Sequence, residues 1–305
     1  MDLSIIIVNY NTLPITAACI ERIFAITEGL TFEVILVDNS STDGSREFFS
    51  ADSRIVYIYN HENIGFGRAN NIGLGRAQGR NIWFLNPDTL LINNAAAILS
   101  RYLDEHRRVA VVGGNLYDEQ MQPSLSFRRQ RPSWGWEWSN MVGHLPEKIF
   151  MPRRWYFNST RRPIKVGYIT GADMMARRDA LVDVGGFADD FFMYYEDTDL
   201  CHRLATRYGS IISLPEAKIQ HLEGGSFEHT HIPRRRIILS EQGRDTYYRR
   251  NHSRRYLIVA NTIYIAALSL HGLIFSLTRQ DMRHRICRLR RRVALHLQRQ
   301  LISRR

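Results

Sequence analysis

A chain of 305 residues, 44% hydrophobic and 11% aromatic, can bury a sizeable core as one large α/β domain with an appendage or as two modest domains. Cys19, Cys201 and Cys287 are odd in number and widely spaced, which speaks against a disulfide framework or a CxxC metal site and for a reducing cytoplasm. The formal charge of +11 is largely a tail property: residues 283–305 hold nine arginines and no acid, so the sum alone does not point to nucleic acid.

The start, MDLSIIIVNYNT, places an acid before a short apolar run and lacks a basic leader region, so it reads as a first strand rather than an export signal. Further strand-like runs stand at residues 34–37, 55–59, 82–85 and 109–112. Helical patterns follow the first three: ITAACIERIFAI, SREFFSA and GRANNIGLGRA. This alternation predicts a mainly parallel sheet with helices on both faces, with functional loops at the strands' carboxyl ends. Residues 126–163 break the pattern and read as a long insertion between two structured halves.

Those carboxyl ends carry VNYN, DNSSTDGS, NHENIGFGRANN and NPD. Each taken singly is ordinary turn and cap chemistry, because Asn, Asp, Ser and Gly favour turns. Four on one edge are harder to dismiss. The run from Ile82 to Leu85 predicts a strand buried on both faces, which leaves Asp88 at a strand end. There a carboxylate can take a hard divalent cation that also holds phosphate oxygens, while the tripeptide alone suits a helix N-cap. No GxxxxGK[ST] is present, and no GxGxxG joins the first strand to its helix, which weakens ATPase and dinucleotide readings.

In order, SIIIVNYNT, VDNSSTDGS, ENIGFGRANNIG, FLNPD, ITGADMMARRDALVDVGGFADDFFMYYEDTDLCHRL and QHLEGGS resemble the inverting family 2 glycosyltransferases, which have a GT-A fold. The NPD form and the MYYEDTDLCHRL block are most similar to bacterial rhamnosyltransferases of cell-surface polysaccharide assembly. The resemblance implies a catalytic domain over residues 1–230, with 126–163 as an acceptor-side insertion, followed by a helical membrane-associating extension over 231–305. It implies that Asp38 hydrogen-bonds the donor's base and ribose, with Asn9, Tyr10 and Asn39 nearby, in keeping with a carboxylate's preference for imide and hydroxyl donors. Asn63, Gly65, Gly67 and Asn71 would complete the pocket, the glycines by close backbone approach. Arg68 reads equally as a phosphate contact or a solvated helix face, and Asp43 and Ser45 read as turn and cap residues.

In the family a DxD-type motif carries the metal; here Asn86 replaces its first Asp, leaving Asp88 as principal ligand for Mg²⁺ or Mn²⁺ and Asn86 as a weaker neutral oxygen. His221 matches a family histidine that completes the site, or is a satisfied histidine at a strand end. Among Glu196, Asp197 and Asp199, the resemblance implies Asp197 as general base, with Glu196 as second choice. Asp199 reads as complementing a helix dipole or pairing with Arg203. Gly171, Ala172, Gly185 and Gly186 would line the acceptor side, joined by Trp136 from the insertion. Asp173 reads as a contact to donor sugar or as a turn residue.

Residues 256–277 are long enough to span a bilayer but contain Asn261, Thr262, Ser269, His271 and Ser276. Thr262, Ser269 and Ser276 recur every seven residues as a stripe compatible with packing on the catalytic domain. Arginine clusters flank the segment on both sides, so charge gives no orientation, and a monotopic arrangement is expected. Met282, Ile286, Leu289, Val293 and Leu297 follow helical spacing, which suits a helix lying on an anionic leaflet or one packed on its neighbour. Trp134, Trp136 and Trp138 suit the headgroup level, an acceptor sugar or plain packing.

The expectation is therefore a metal-dependent, inverting transferase at the cytoplasmic membrane face, moving L-rhamnose from dTDP-rhamnose to a polyprenyl-diphosphate-linked saccharide. A UDP-hexose donor is the alternative within the family. A sugar nucleotidyltransferase would need a Gly-rich, cationic triphosphate loop that VNYNTLPITA lacks, and a nucleic-acid binder finds no motif here beyond the tail.

Overall fold

The computed structural model describes residues 1–150, 155–222 and 234–303, with the side chains of 146–148 left out. The end of the QHLEGGS motif, the 230/231 boundary and the last two arginines lie outside the described residues. The chain divides into two units.

The first unit alternates strand and helix. It runs β1 (Leu3–Asn9), α1 (Leu13–Ile26), β2 (Phe32–Asp38), α2 (Ser45–Ser50), β3 (Ile55–Tyr59), α3 (Phe66–Arg76), β4 (Asn81–Leu85), β5 (Thr89–Leu91), α4 (Ala95–Glu105), β6 (Val109–Tyr117) and β7 (Phe127–Arg128). In the second unit the chain forms α5 (Trp134–Met141) and α6 (Leu145–Phe150). It then returns through β8 (Ile164–Val166), β9 (Tyr168–Ile169), β10 (Asp173–Arg177), α7 (Arg178–Asp183), α8 (Glu196–Tyr208) and β11 (Ser210–His221). Three long helices, α9 (Arg234–Asn251), α10 (Arg254–Leu277) and α11 (Asp281–Ser303), belong to the second unit.

Every residue of β1 and β4 is buried, as a continuous apolar run demands when helices cover both faces of a sheet. The strand order is β3-β2-β1-β4-β10-β6-β11-β5, with β8 added on β11. β3, β2, β1 and β4 are mutually parallel, whereas β10 runs antiparallel to both β4 and β6. The sheet is thus parallel over its first four strands and mixed beyond them. Two cores flank it, one against α1 and α4 and one against α3 and α8.

The segment after Asp88 is β5, not a helix, and Asn94 caps α4 by accepting from Ala97 N at 3.3 Å, so Asp88 has no capping role there. Asp43 does act as a cap and turn residue: it accepts from Leu13 N at 2.9 Å and from Ser45 N at 3.1 Å. The insertion is divided between units: residues 130–152 join the helical unit, while Asn158 is bonded to Asn115 of the sheet unit.

In the helical unit α10 and α11 form an antiparallel pair, as shown by contacts of Arg254 with Leu301, Thr262 with Gln298 and Ser269 with Arg291. Thr262 and Ser269 of the seven-residue polar stripe on α10 therefore meet α11. On α11 the buried line is Cys287, Ala294 and Leu301, also seven apart; Ile286, Leu289, Val293 and Leu297 flank it half-buried, and Met282 is exposed. Packing on its neighbours accounts for the buried line of that face. Glu137 of α5 is fully buried and accepts from Arg244 Nη2 at 2.7 Å and Nε at 3.0 Å, and from the Tyr248 hydroxyl at 2.8 Å. Arg244 Nη1 also donates to Asn261 at 2.6 Å. Removing one side of such a buried pair strands the other charge. Arg244→Met should destabilise the helical unit by about 3–5 kcal/mol, seen as a lower urea midpoint by tryptophan fluorescence.

Candidate active site

The loops after β1 and β2 lock each other. Asn9 and Asp38 are side by side in register at the strand ends, and both are fully buried. Asn9 donates to Ser41 Oγ at 3.0 Å and accepts from the Thr12 and Thr16 hydroxyls. Asp38 accepts from Ser41 N and the Tyr57 hydroxyl, each at 2.8 Å. Asn39 accepts from Ile64 N and Asn60 Nδ2 and donates to Asn63, tying the second loop to the third. Asn9, Asp38 and Asn39 thus set the loops. Tyr10 alone of this group presents its ring, 43% exposed. Nothing in the sequence marks Ser41 or Tyr57, because a serine in a turn and a tyrosine in a strand carry no local signal.

Gly65 lies at φ +90°, and a Cβ there would stand 2.3 Å from Phe192 O, which also accepts from Phe66 N at 3.0 Å. Only glycine lets this loop close on that carbonyl. Arg68 is exposed, and its Nε and Nη2 donate to Asp189 O at 3.0 and 2.7 Å. Asn71 clasps the Phe187 backbone with two 2.8 Å bonds beside Gly186, so it shapes the fold of the loop.

Asn86, Asp88 and His221 do come together. β5 and β11 pair antiparallel, setting His221 opposite Thr89, and Asp88 O accepts from Leu222 N at 2.9 Å. His221 Nε2 stands 3.2 Å from Asp88 Oδ1 and 3.4 Å from Asn86 Nδ2. A carboxylate and an imidazole at this spacing are donors that suit a small divalent cation, with positions left for phosphate oxygens, and Asn86 turns its amide nitrogen toward His221.

The carboxylates of α8 lie at the helix start as the sequence indicates. Asp197 Oδ2 accepts from Gly171 N at 3.0 Å, and its Oδ1 from Thr198 N at 2.6 Å and Thr198 Oγ1 at 3.1 Å. Ala172 O accepts from Asn86 N at 3.1 Å. Two consecutive residues, Gly171 and Ala172, therefore join the carboxylate of α8 to the Asn86–Asp88–His221 cluster. Asp173 starts β10 rather than a turn, is 1% exposed, and accepts from Trp83 Nε1 at 2.7 Å and Gly114 N at 2.5 Å. Burial raises its pKa to about 6. Asp199 pairs with Arg203 at 2.8 Å, which in turn donates to Val184 O and Gly186 O. Trp136 belongs to the helical unit, its ring 4.9 Å from that of His144.

Glu196 is buried, and its Oε2 has no hydrogen-bond partner among the described residues, whereas Asp197 keeps partial exposure. Loss of water raises both pKa values, and in Glu196 the neighbouring Asp197 charge adds to the rise. An acid whose pKa rises on folding stabilises the fold below its unfolded pKa, and that stability is lost as pH climbs through the folded value. The thermal midpoint of Glu196→Gln, relative to the parent chain, should therefore increase between pH 5 and pH 8 in scanning calorimetry; a constant difference would refute the assignment.

The sequence profile of glycosyl transferase family 2 matches residues 4–185, more than half of the chain. The low-salt glycan biosynthesis hexosyltransferase Agl10 of Haloferax volcanii is 27% identical over 206 residues, 66% of this chain and 61% of that protein. The N-acetylglucosaminyl-diphospho-decaprenol L-rhamnosyltransferase of Mycobacterium tuberculosis is 28% identical over 214 residues, 62% of this chain and 66% of its own length. The chain thus spans less than two thirds of the length of either relative. The mannosyltransferase PcManGT from Pyrobaculum calidifontis, solved in complex with GDP-Man and Mn2+, matches in structure with a TM-score of 0.59 at 15% identity, over 99% of this chain and 87% of that one. The family match spans the strand ends that carry Asn9, Asp38, Asn86 and Asp88, and the chain belongs to glycosyl transferase family 2, with the GT-A fold.

Proposed function

We propose that the protein is an inverting, metal-dependent glycosyltransferase that moves L-rhamnose from dTDP-rhamnose onto a polyprenyl-diphosphate-linked saccharide at the cytoplasmic face of the membrane, in cell-surface polysaccharide synthesis. The observation that carries the reaction type is the Gly171–Ala172 link, which sets a partly exposed carboxylate and a cation-type donor set on adjacent backbone groups. In the transfer, an acceptor hydroxyl oxygen bonds to the anomeric carbon, the anomeric C–O bond to the diphosphate breaks, and the nucleoside diphosphate leaves with the electron pair. Asp197 takes the hydroxyl proton. Its raised pKa brings it closer to neutral pH, where a base accepts a proton with more driving force. Asp88 and His221, with Asn86 beside them, would hold Mg²⁺ or Mn²⁺, which when bound supplies positive charge against the leaving diphosphate. Tyr10 offers a ring for the nucleotide end. The donor sugar and the lipid-linked acceptor are supported by the Mycobacterium relative, whose name states both a rhamnosyl transfer and a decaprenol-linked acceptor.

Membrane attachment is supported by the helical unit. Leu145, Ile149 and Phe150 of α6, Trp138 of α5 and Val142 just after it are exposed, as are Leu270, Leu273, Ile274 and Leu277 on the last turns of α10. His271 Nε2 lies 3.0 Å from Met141 O, joining the two groups. Arg279, Arg283, Arg285 and Arg288 follow immediately in the chain, a basic rim suited to an anionic leaflet. α10 is long and apolar enough to cross a bilayer, yet Arg244, Gln298, Arg291 and Met141 O engage its polar residues. This favours a monotopic seat over a span.

Asp197→Asn should lower single-turnover transfer by about 10²–10⁴ while donor Kd by calorimetry stays near that of the parent chain. Asp88→Asn should weaken metal-dependent donor binding along with the rate. Normal turnover of Asp197→Asn with loss in Glu196→Gln would move the base to Glu196, and faster use of a UDP-hexose than of dTDP-rhamnose would replace the donor. Changing Phe150, Leu273 and Leu277 together to Ser should release the full-length protein from anionic vesicles; unchanged cosedimentation would refute this seat.

A further inference from the structure

The short ribbon of β7 and β9 carries two different faces. Phe127 stands opposite Ile169, and both are fully buried in one of the two cores. The next pair, Arg128 and Tyr168, shares the other face, because successive side chains of a strand alternate and directly opposite residues lie together. The Arg128 guanidinium lies 4.3 Å over the ring of Trp155, and Tyr156 meets that indole edge-on at 5.4 Å. Arg128, Trp155, Tyr156 and Tyr168 are each half-buried, so part of this surface stays open to solvent.

Tyr168 carries the face to the α8 carboxylate. Burial raises its hydroxyl to about 12, the Asp197 charge adds to the rise and Arg128 opposes it, so both charges act on the one phenol. Backbone bonds fix the frame. Ser126 N donates to Tyr156 O at 3.0 Å, Ser126 O accepts from Thr170 N at 3.2 Å, and Gly167 N donates to Arg128 O at 2.8 Å. Thr170 leads into Gly171, whose N–H holds Asp197 at 3.0 Å. Trp155, Arg128, Tyr168 and Asp197 thus form a continuous row, all within the sheet unit.

We infer that this row is the subsite for the acceptor's saccharide, with Trp155 and Arg128 as specificity-determining residues. This rests on the transferase reading above: if Asp197 takes the acceptor's proton, the groups beside it meet the sugar that bears that hydroxyl. The residue types suit a carbohydrate. An indole offers apolar surface to the C–H side of a pyranose ring, and a guanidinium presents its donors in a fixed fork to neighbouring hydroxyl oxygens. Aromatic surface with a few fixed polar groups is the general make-up of small-ligand sites. None of the row belongs to the loops after β1, β2 and β3 or to the Asn86–Asp88–His221 cluster, so donor binding is separable from it.

The test uses the full-length chain and, as probe, N-acetylglucosaminyl-diphospho-decaprenol in detergent micelles, the acceptor in the name of the Mycobacterium relative. Trp155→Ala and Arg128→Ala should each raise the acceptor KM by about tenfold, with donor Kd by calorimetry near that of the parent chain. Trp155→Tyr, which keeps an aromatic face, should recover most of the loss. Parent-like acceptor KM in both alanine variants would overturn the proposal, as would a donor Kd that weakens in step with the KM. If circular dichroism shows that the alanine variants lose structure, Arg128→Gln keeps much of the bulk and should still raise the acceptor KM; a parent-like value overturns the proposal. Absence of transfer by the parent chain from any nucleotide sugar would overturn the transferase reading. Probe binding, followed by tryptophan fluorescence, would still decide the subsite: weaker binding by Arg128→Ala than by the parent supports it, and equal binding, or none by the parent, overturns it.

Discussion

The peptide groups of Gly171 and Ala172 are the constraint on which the site depends. One donates its N–H to Asp197, and the next offers its C=O to Asn86 N. The pair is held in turn by Asp173, whose buried carboxylate is fastened to Trp83 and Gly114 on the two neighbouring strands. Burying an acid is unfavourable, as its raised pKa records, and the two donors offset that penalty only because β10 lies between β4 and β6. The antiparallel β10 is thus what brings a helix-borne carboxylate and a strand-end cluster into fixed relation. A sheet parallel throughout would place no strand start at that edge.

Two adjacent carboxylates at one helix start behave differently because their surroundings differ. Glu196 is shut away from water, so its charged form is disfavoured first by burial and then by its neighbour. Asp197 retains exposure and three hydrogen-bond donors, and the helix N-terminus favours negative charge there. In the proposed transfer this separates a carboxylate that can meet an acceptor hydroxyl from one that cannot. Donors already aimed at Asp197 also mean that little reorganisation accompanies charge movement at that atom.

The sequence made legible what depends on local pattern. Continuous apolar runs gave β1, β2, β3 and β4, and the helices α1, α2 and α3 fell where periodicity placed them. The cluster of NPD with His221 and the Asp199–Arg203 pair followed from resemblance and from i,i+4 spacing. What escaped was set by distant partners. Asp88 reads as a cap because nothing local shows that Thr89–Leu91 will be drawn into a strand by β11. Arg68 reads as free because its acceptor, Asp189 O, is 121 residues away. Asp173 reads as a contact to donor sugar or a turn residue because nothing local shows that it starts a strand, and the indole that bonds it sits on β4. The division of the insertion was equally hidden, since the buried Glu137 finds Arg244 107 residues on.

The same logic bears on α10, whose 24 residues read in isolation as a membrane span. A helix surrounded by lipid tails has no partners for side-chain polar groups other than its own backbone. Here Asn261 takes a guanidinium proton from Arg244, Thr262 and Ser269 face Gln298 and Arg291 on α11, and His271 reaches the end of α5. These contacts point to more than one side of the helix, so α5, α9 and α11 all depend on α10 for their packing. Pulling it into a bilayer would strand Glu137 and Arg244 together with the polar stripe. The apolar surface left over lies at its last turns beside α5, where side chains can enter a headgroup region without exposing any of those partners, which fits a helical unit seated on a membrane rather than threaded through one.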